Sequence, residues 1–203
     1  MTRIHQLAPV FVLALSACAD VEEHDHHHHD HEVMTTVVLT FTSQADDSEL
    51  EFIWADPEND GDPVVDDIVL KDAGAYDLSL SFLNEMEDPY EDITPELLDE
   101  SDEHQVFFTG TGVQGPATGT NADAVVEHVY ADEDDNGFVV GFDNTITALA
   151  AGTGEFTVTL RHLPLEDGNT VKSADMADTV AESGFGAIGG ANDVQVTFPI
   201  TVE

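Results

Sequence analysis

The sequence is short of positive charge. Only 4 of its 203 residues are lysine or arginine, whereas 43 are aspartate or glutamate, so the formal net charge at pH 7 is −39. A chain this acidic repels nucleic acid and anionic membrane surfaces and concentrates cations around it. Nucleic-acid binding is therefore excluded. Two explanations of the acidity stay open: recruitment of metal ions, or a solvated surface suited to a saline habitat.

Cysteine is nearly absent as well. Cys18 is the single one, so no disulfide can form within the chain. It closely follows a short apolar segment, residues 7–15, which has Arg3 on its N-terminal side. This arrangement is typical of a secretory signal. The apolar segment is far shorter than the roughly 20 residues that span a bilayer.

Residues 15–18, Leu-Ser-Ala-Cys, resemble a bacterial lipobox, in which the cysteine is acylated and begins the mature chain. The resemblance implies a signal peptide over residues 1–17 and a lipid on Cys18 as the only membrane attachment. No aspartate follows Cys18 directly, which further implies the outer membrane, with the chain facing the periplasm or the cell surface. The alternative is an ordinary cleavage site with a chance cysteine.

Histidine is concentrated in the next segment, residues 18–32, which has almost no apolar side chains and is expected to be a disordered, flexible arm. Neutral imidazole binds zinc, copper and nickel, and carboxylates can complete the ligand shell. We therefore predict a metal-binding arm of modest affinity and fast exchange, with Zn²⁺ favoured and Cu²⁺ or Ni²⁺ open; the alternative is low-complexity drift. The predicted ligands are His24, Asp25, His26, His27, His28, His29, Asp30 and His31.

A two-residue hydrophobic period runs through residues 33–203, as in the alternation of Val37, Leu39 and Phe41 with threonines. About eight or nine strands with one apolar face each are expected. Such strands pair into two antiparallel sheets whose apolar faces meet, so the predicted fold is all-β, an immunoglobulin-like β-sandwich. One interruption, where Thr94 can cap and Pro95 suits the first helical position, predicts a short helix over residues 94–104.

Two further histidines are candidates for a second, ordered metal site. Glu100 and His104 are four residues apart, so on the predicted helix they share a face and could chelate together. His162 continues the inward row of its strand at the strand end, where a sandwich opens to its loops. The candidate ligands are Glu100, His104 and His162; the alternative is that each histidine only caps the core with hydrogen bonds.

Two acidic loops loosely match the spacing of EF-hand calcium loops, in which alternate oxygens wrap the ion and glycine permits the turn. Neither is flanked by two helices, and Asn136 followed by glycine is also a favoured hairpin turn. Plain acidic turns are therefore the alternative to Ca²⁺ binding. The candidate ligands are Asp132, Asp134, Asn136 and Asp143 in one loop, and Asp56, Glu58, Asp60 and Asp67 in the other.

Catalytic arrangements are missing from the sequence. The one cysteine is assigned to the lipid, and no serine sits in a nucleophile elbow. Residues 184–189 spell G-x-G-x-x-G, but they precede a predicted strand instead of opening a helix after one, so a dinucleotide site is rejected. We predict a protein that is not an enzyme.

Several segments together resemble small bacterial envelope lipoproteins that carry the label "type 1 periplasmic binding fold superfamily protein". The segments are the lipobox, the histidine-rich arm, and residues 35–41, 76–85, 91–94, 102–108 and 160–162. The resemblance implies association with a TonB-dependent outer-membrane receptor. The label names a fold of two α/β lobes, whereas the strand pattern predicts β structure throughout.

The expected function is a lipid-anchored protein that gathers transition-metal ions and buffers them or passes them to an outer-membrane receptor. The alternative is a non-catalytic accessory module that binds a receptor or a surface polymer and has no metal role.

Overall fold

The computed structural model describes residues 33–203 and shows a β-sandwich of one eight-stranded and one four-stranded sheet. The predicted all-β, two-sheet class is confirmed. In chain order the strands are β1 (Thr36–Ser43), β2 (Glu49–Ala55), β3 (Val64–Val65), β4 (Ile68–Leu70), β5 (Ala75–Asn84), β6 (Glu91–Asp92), β7 (His104–Thr109), β8 (Val113–Gln114), β9 (Val126–Tyr130), β10 (Asp143–Ala148), β11 (Gly152–His162) and β12 (Ala191–Val202), and the helices are α1 (Thr94–Asp99), α2 (Met176–Ser183) and a 3-10 helix (Phe185–Ala187).

The strand order of the larger sheet is β3-β2-β1-β5-β10-β9-β8, with β6 beside β5, and that of the smaller sheet is β4-β12-β11-β7. Most neighbours are antiparallel, as expected. The pairs β4–β12 and β8–β9 are parallel. In both, the shorter partner has two or three residues and lies at a sheet edge, where the chain crosses from one sheet to the other.

The main core lies between the two sheets. Val37, Leu39 and Phe41 of β1 are fully buried, as their alternation predicts. The ring of Phe41 meets that of Phe156 on β11, with centroids 6.4 Å apart, so aromatic contact joins the sheets. Burying one side chain of this kind contributes about 1.5–3 kcal/mol.

A second, smaller core covers the opposite face of the four-stranded sheet. It contains Phe107 of β7, Leu163 just after β11, and Met176 and Val180 of α2. It covers β7 and the C-terminal half of β11, whose residues are buried on both faces, whereas the outward residues of β12 are exposed.

The predicted helix over residues 94–104 is shorter than expected. It ends at Asp99, and His104 is the first residue of β7. The Thr94 hydroxyl does not cap the helix but accepts a hydrogen bond from the main-chain N–H of Phe82 (2.9 Å). Strand pairing and burial of residues 104–109 outweigh the helical tendency of the preceding segment, because helix propensity is a weak preference that tertiary contacts override.

The predicted signal peptide (residues 1–17), the lipidation residue Cys18 and the histidine arm with its ligands at positions 24–31 lie outside the described residues. Within residues 33–203, no helix has the length and apolar character needed to cross a membrane.

Candidate metal centre

Two histidines and one aspartate converge at one end of the four-stranded sheet. They are His104 of β7, His162 of β11 and Asp193 of β12, and one ligand atom of each lies within 4.8 Å of the others. Two imidazoles and a carboxylate form a ligand set that suits divalent transition metals. This group could hold a metal ion.

The pairing of β7 with β11 brings the two histidines together. His104 and His162 are direct cross-strand partners, and their rings stack with centroids 4.9 Å apart and planes inclined by 17°. The next residues on the same rows, Val106 and Leu160, are also partners and are fully buried. Because side chains alternate along a strand, both imidazoles extend the inner row to the end of the sheet.

A β-bulge places Asp193. Leu160 pairs with Val194, whereas Arg161 pairs with Asn192, so the register shifts and Asp193 is the extra residue of β12. A bulge bends its strand and re-aims a side chain. The Asp193 carboxylate consequently faces His104, with Oδ2 3.7 Å from Nε2 and both side chains nearly buried, 4% and 3% exposed.

The hydrogen bonding of His104 fixes its tautomer. Its Nδ1 lies 3.1 Å from the main-chain oxygen of Glu100. A carbonyl oxygen only accepts, so Nδ1 carries the proton, and Nε2 of a neutral ring has a lone pair directed away from Glu100. Burial lowers the pKa of His104 to about 4, against an opposing effect of the Glu100 hydrogen bond, so the ring is neutral at pH 7.

The lone pair of His104 Nε2 therefore faces a carboxylate oxygen. A cation placed between these two atoms would be attracted by both. Their separation of 3.7 Å is close to the roughly 3.4 Å between two ligands of a tetrahedral zinc. A ligating histidine also typically donates its other ring N–H to a backbone carbonyl or carboxylate, as His104 does.

A second carboxylate lies beside His162. Glu103 Oε2 is 3.7 Å from His162 Nε2, and the side chains of His162 and Glu103 are 15% and 12% exposed. Glu103 Oε2 also accepts a hydrogen bond from the main-chain N–H of Leu165 (3.1 Å). Glu103 is thus held in place next to the centre.

Arg161 holds the chain that leads into Asp193. Its guanidinium donates to the Asn192 side-chain oxygen (2.6 Å) and to the main-chain oxygens of Gly189 (2.7 Å, from Nε) and Gly190 (3.0 Å). Gly190 also packs directly on β11, because a Cβ atom at this position would lie 2.2 Å from the main-chain oxygen of His162.

The structure brings together two of the three residues predicted for an ordered site, His104 and His162. The prediction for Glu100 needs correction, because the helix that would have aligned its carboxylate with His104 ends before residue 100, and Glu100 contributes its carbonyl oxygen to His104. Asp193 takes the place of the predicted carboxylate. Sequence reasoning missed Asp193 because the alternating pattern of residues 194–202 gives no sign of a bulge at residue 193.

Carboxylates of the two predicted calcium loops accept hydrogen bonds from their own turns. Asp132 accepts hydrogen bonds from the main-chain N–H groups of Gly141, Phe142 and Asp143 at 2.7, 2.8 and 3.0 Å. Asp134 accepts from two main-chain N–H groups and forms an ion pair with Lys172 (Oδ2–Nζ 2.9 Å). These donors use part of the acceptor capacity of the two carboxylates.

The other loop is similar, since Asp56 accepts from the main-chain N–H groups of Asp60 (3.1 Å) and Gly61 (2.9 Å). Within residues 33–203 neither loop gathers three ligand atoms around a common point. Calcium binding by either loop stays a prediction, and the other residues predicted for the two loops are Glu58, Asp60, Asp67, Asn136 and Asp143.

Comparison of the chain with protein-family models, with curated proteins and with solved structures found no match in any of the three. The fold and the side-chain geometry define a β-sandwich with a candidate metal centre at one end of its smaller sheet.

Proposed function

We propose that this protein is an envelope lipoprotein that binds a divalent transition-metal ion, with Zn²⁺ favoured, and buffers it or passes it to an outer-membrane receptor. The single observation that carries the proposal is the convergence of His104, His162 and Asp193, in which the fixed tautomer of His104 turns a lone pair toward a carboxylate.

The number of protein ligands favours exchange over permanent retention. Structural zinc sites have four protein ligands, whereas sites with three leave a position for water or for a ligand from another molecule. A three-ligand centre suits an ion that is taken up and handed on. The same ligand set, two histidines and one carboxylate, also serves Fe²⁺ in other proteins, so Fe²⁺, Cu²⁺ and Ni²⁺ are the competing ions.

The arm at residues 24–31 and the lipobox at Cys18 support the proposal from the sequence alone. Six histidines and two aspartates within eight residues supply several alternative ligand subsets. We expect them to bind additional ions more weakly than the candidate centre, because ligands on a segment whose sequence predicts disorder would lose conformational entropy on binding. The net charge of −39 attracts cations to both.

The test is a zinc titration by calorimetry and equilibrium dialysis on the lipid-free mature chain. Wild type should show one tight ion per chain and several weaker ones. The double variant H104A/H162A should lose the tight ion, and replacement of the six arm histidines by asparagine should remove weaker ions only. His128→Gln changes a buried histidine outside the centre and is the matched control, with wild-type stoichiometry expected.

Two results would contradict the proposal. If H104A/H162A, shown to be folded, keeps the tight ion, the centre is not the site. If wild type takes up none of Zn²⁺, Cu²⁺, Ni²⁺ or Fe²⁺ at micromolar concentration, the metal role is refuted and the non-catalytic accessory module is favoured.

A further inference from the structure

Lys172 is a buried lysine whose charge is fully satisfied within the protein. Its side chain is 0% exposed, as is that of its ion-pair partner Asp134. An ammonium group has three N–H donors, and three acceptors surround it: the main-chain oxygens of Ser101 (2.8 Å) and His104 (3.0 Å), and Asp134 Oδ2 (2.9 Å). Two main-chain carbonyls therefore accept hydrogen bonds from the ammonium group, and the Asp134 carboxylate balances its charge.

Two of these acceptors belong to the turn that carries a candidate metal ligand. Residues 100–103 connect α1 to β7, and His104 follows them. The carbonyls between the two Lys172 acceptors are also bound from the same later segment, since Asp102 accepts from the Thr170 hydroxyl (2.7 Å) and Glu103 from the Leu163 N–H (2.6 Å). Four consecutive carbonyls, 101–104, thus bond to residues 163–172.

Asp134 anchors the other side of Lys172. Its second oxygen, Oδ1, accepts hydrogen bonds from the main-chain N–H groups of Asn136 (2.9 Å) and Phe138 (3.0 Å). The carboxylate is therefore fixed by its own turn, independently of the 100–103 turn. Lys172 therefore connects the main-chain oxygen of His104 to the Asp134 carboxylate, which its own turn holds in place.

We propose that Lys172 is a positioning residue of the metal centre, whose ammonium fixes the His104 backbone so that the imidazole meets His162 and Asp193. This inference rests on the proposed function, because it assigns a role to Lys172 only if the centre binds metal. Outer groups that orient a metal ligand typically change affinity by about 10–100-fold when they are removed.

The charge of Lys172 and its positioning of His104 have opposite effects on metal affinity. A measurement of affinity can therefore distinguish the two. A positive charge near a cation site disfavours the cation. By charge alone, removal of the ammonium would tighten metal binding; by loss of positioning, it weakens binding.

The experiment compares wild type with Lys172→Met, which keeps most of the aliphatic stem and removes the ammonium. Zinc affinity is measured by competition with a chelating dye, and the ligand geometry by the visible absorption of Co²⁺ at saturation. K172M should bind zinc about 10–100-fold more weakly and show a shifted Co²⁺ spectrum. The double variant K172M/D134N removes both charges of the ion pair, so no buried carboxylate is left without its cation. It can replace K172M if that variant does not fold. We expect the same weakening of zinc binding and the same spectral shift.

The control is Val37→Ala, a truncation in the core of β1 on the larger sheet. It lowers stability without touching the 101–104 turn, so its zinc affinity should stay within about twofold of wild type and its Co²⁺ spectrum should be unchanged. A folded K172M or K172M/D134N chain with unchanged or tighter zinc binding and the wild-type Co²⁺ spectrum overturns the inference. Absence of zinc binding in wild type overturns the proposed function itself.

Discussion

His128 should make the folded protein sensitive to acid. This histidine of β9 is 0% exposed, its Nε2 lies 2.9 Å from Asn144 Oδ1, and its ring is 4.2 Å from that of Phe108. Burial lowers the pKa of His128 from 6.5 to about 4, although the hydrogen bond with Asn144 and the charge of Asp132 oppose the change. A difference of this size corresponds to about 3 kcal/mol of preference for the neutral ring in the folded state.

The sign follows from proton binding. The unfolded chain protonates His128 near pH 6.5, whereas the folded chain does so only near pH 4. The stability that depends on a neutral His128 is therefore fully present above pH 6.5, and it is lost as the pH falls toward 4. Between about pH 7.5 and about pH 4.5, wild type should lose about 2 kcal/mol more free energy of unfolding than His128→Gln, which removes the titrating group.

Urea unfolding in the presence of a chelator, followed by the fluorescence of Trp54, measures this difference. Trp54 is the single tryptophan and packs against the main core. Every other titrating group is common to the two chains, so subtraction of the two pH profiles isolates His128. Parallel profiles, within about 0.5 kcal/mol over this range, would refute the assignment of a buried neutral His128.

Gly190→Ala should disturb the candidate metal centre more than Gly189→Ala. Both glycines have positive φ (+69° and +68°), but only a Cβ at 190 would collide with the main-chain oxygen of His162. The zinc affinities of the two folded variants test this, and equal affinities would contradict it. Phe156→Ala should lower the free energy of unfolding in urea by about 3–5 kcal/mol, because Phe156 is fully buried. Val64 is 72% exposed, so Val64→Ala should lower it by less than about 0.5 kcal/mol. Similar losses for the two variants would contradict the position of the core. Calcium should not raise the melting temperature, because main-chain N–H groups already occupy the Asp132 oxygens; a calcium-dependent rise that Asp132→Asn abolishes would show that the loop binds the ion.

The long strands could be predicted from the sequence because their alternation directly reflects burial. Val37, Leu39 and Phe41 point inward for the same reason that they recur at every second position. Strands of two residues, such as β3, are too short for any period, and their partners define them. The end of α1 could not be predicted from the sequence either, because it is pairing with β11 that makes His104 the first residue of a strand.

The candidate site depends on register, which a single sequence does not contain. Alternation showed that His162 continues an inward row, but the pairing of β7 with β11 alone makes His104 its partner. Asp193 depends on a second register, because regular alternation would place it on the exposed side of β12 with Gln195, and one extra residue opposite Leu160 and Arg161 turns it toward the histidines. Asp193 therefore reaches the candidate centre because β12 has an irregularity near its start. The bonds of Arg161 to Asn192, Gly189 and Gly190 hold the chain beside that irregularity, so residues that bind no ion also decide where the Asp193 carboxylate lies.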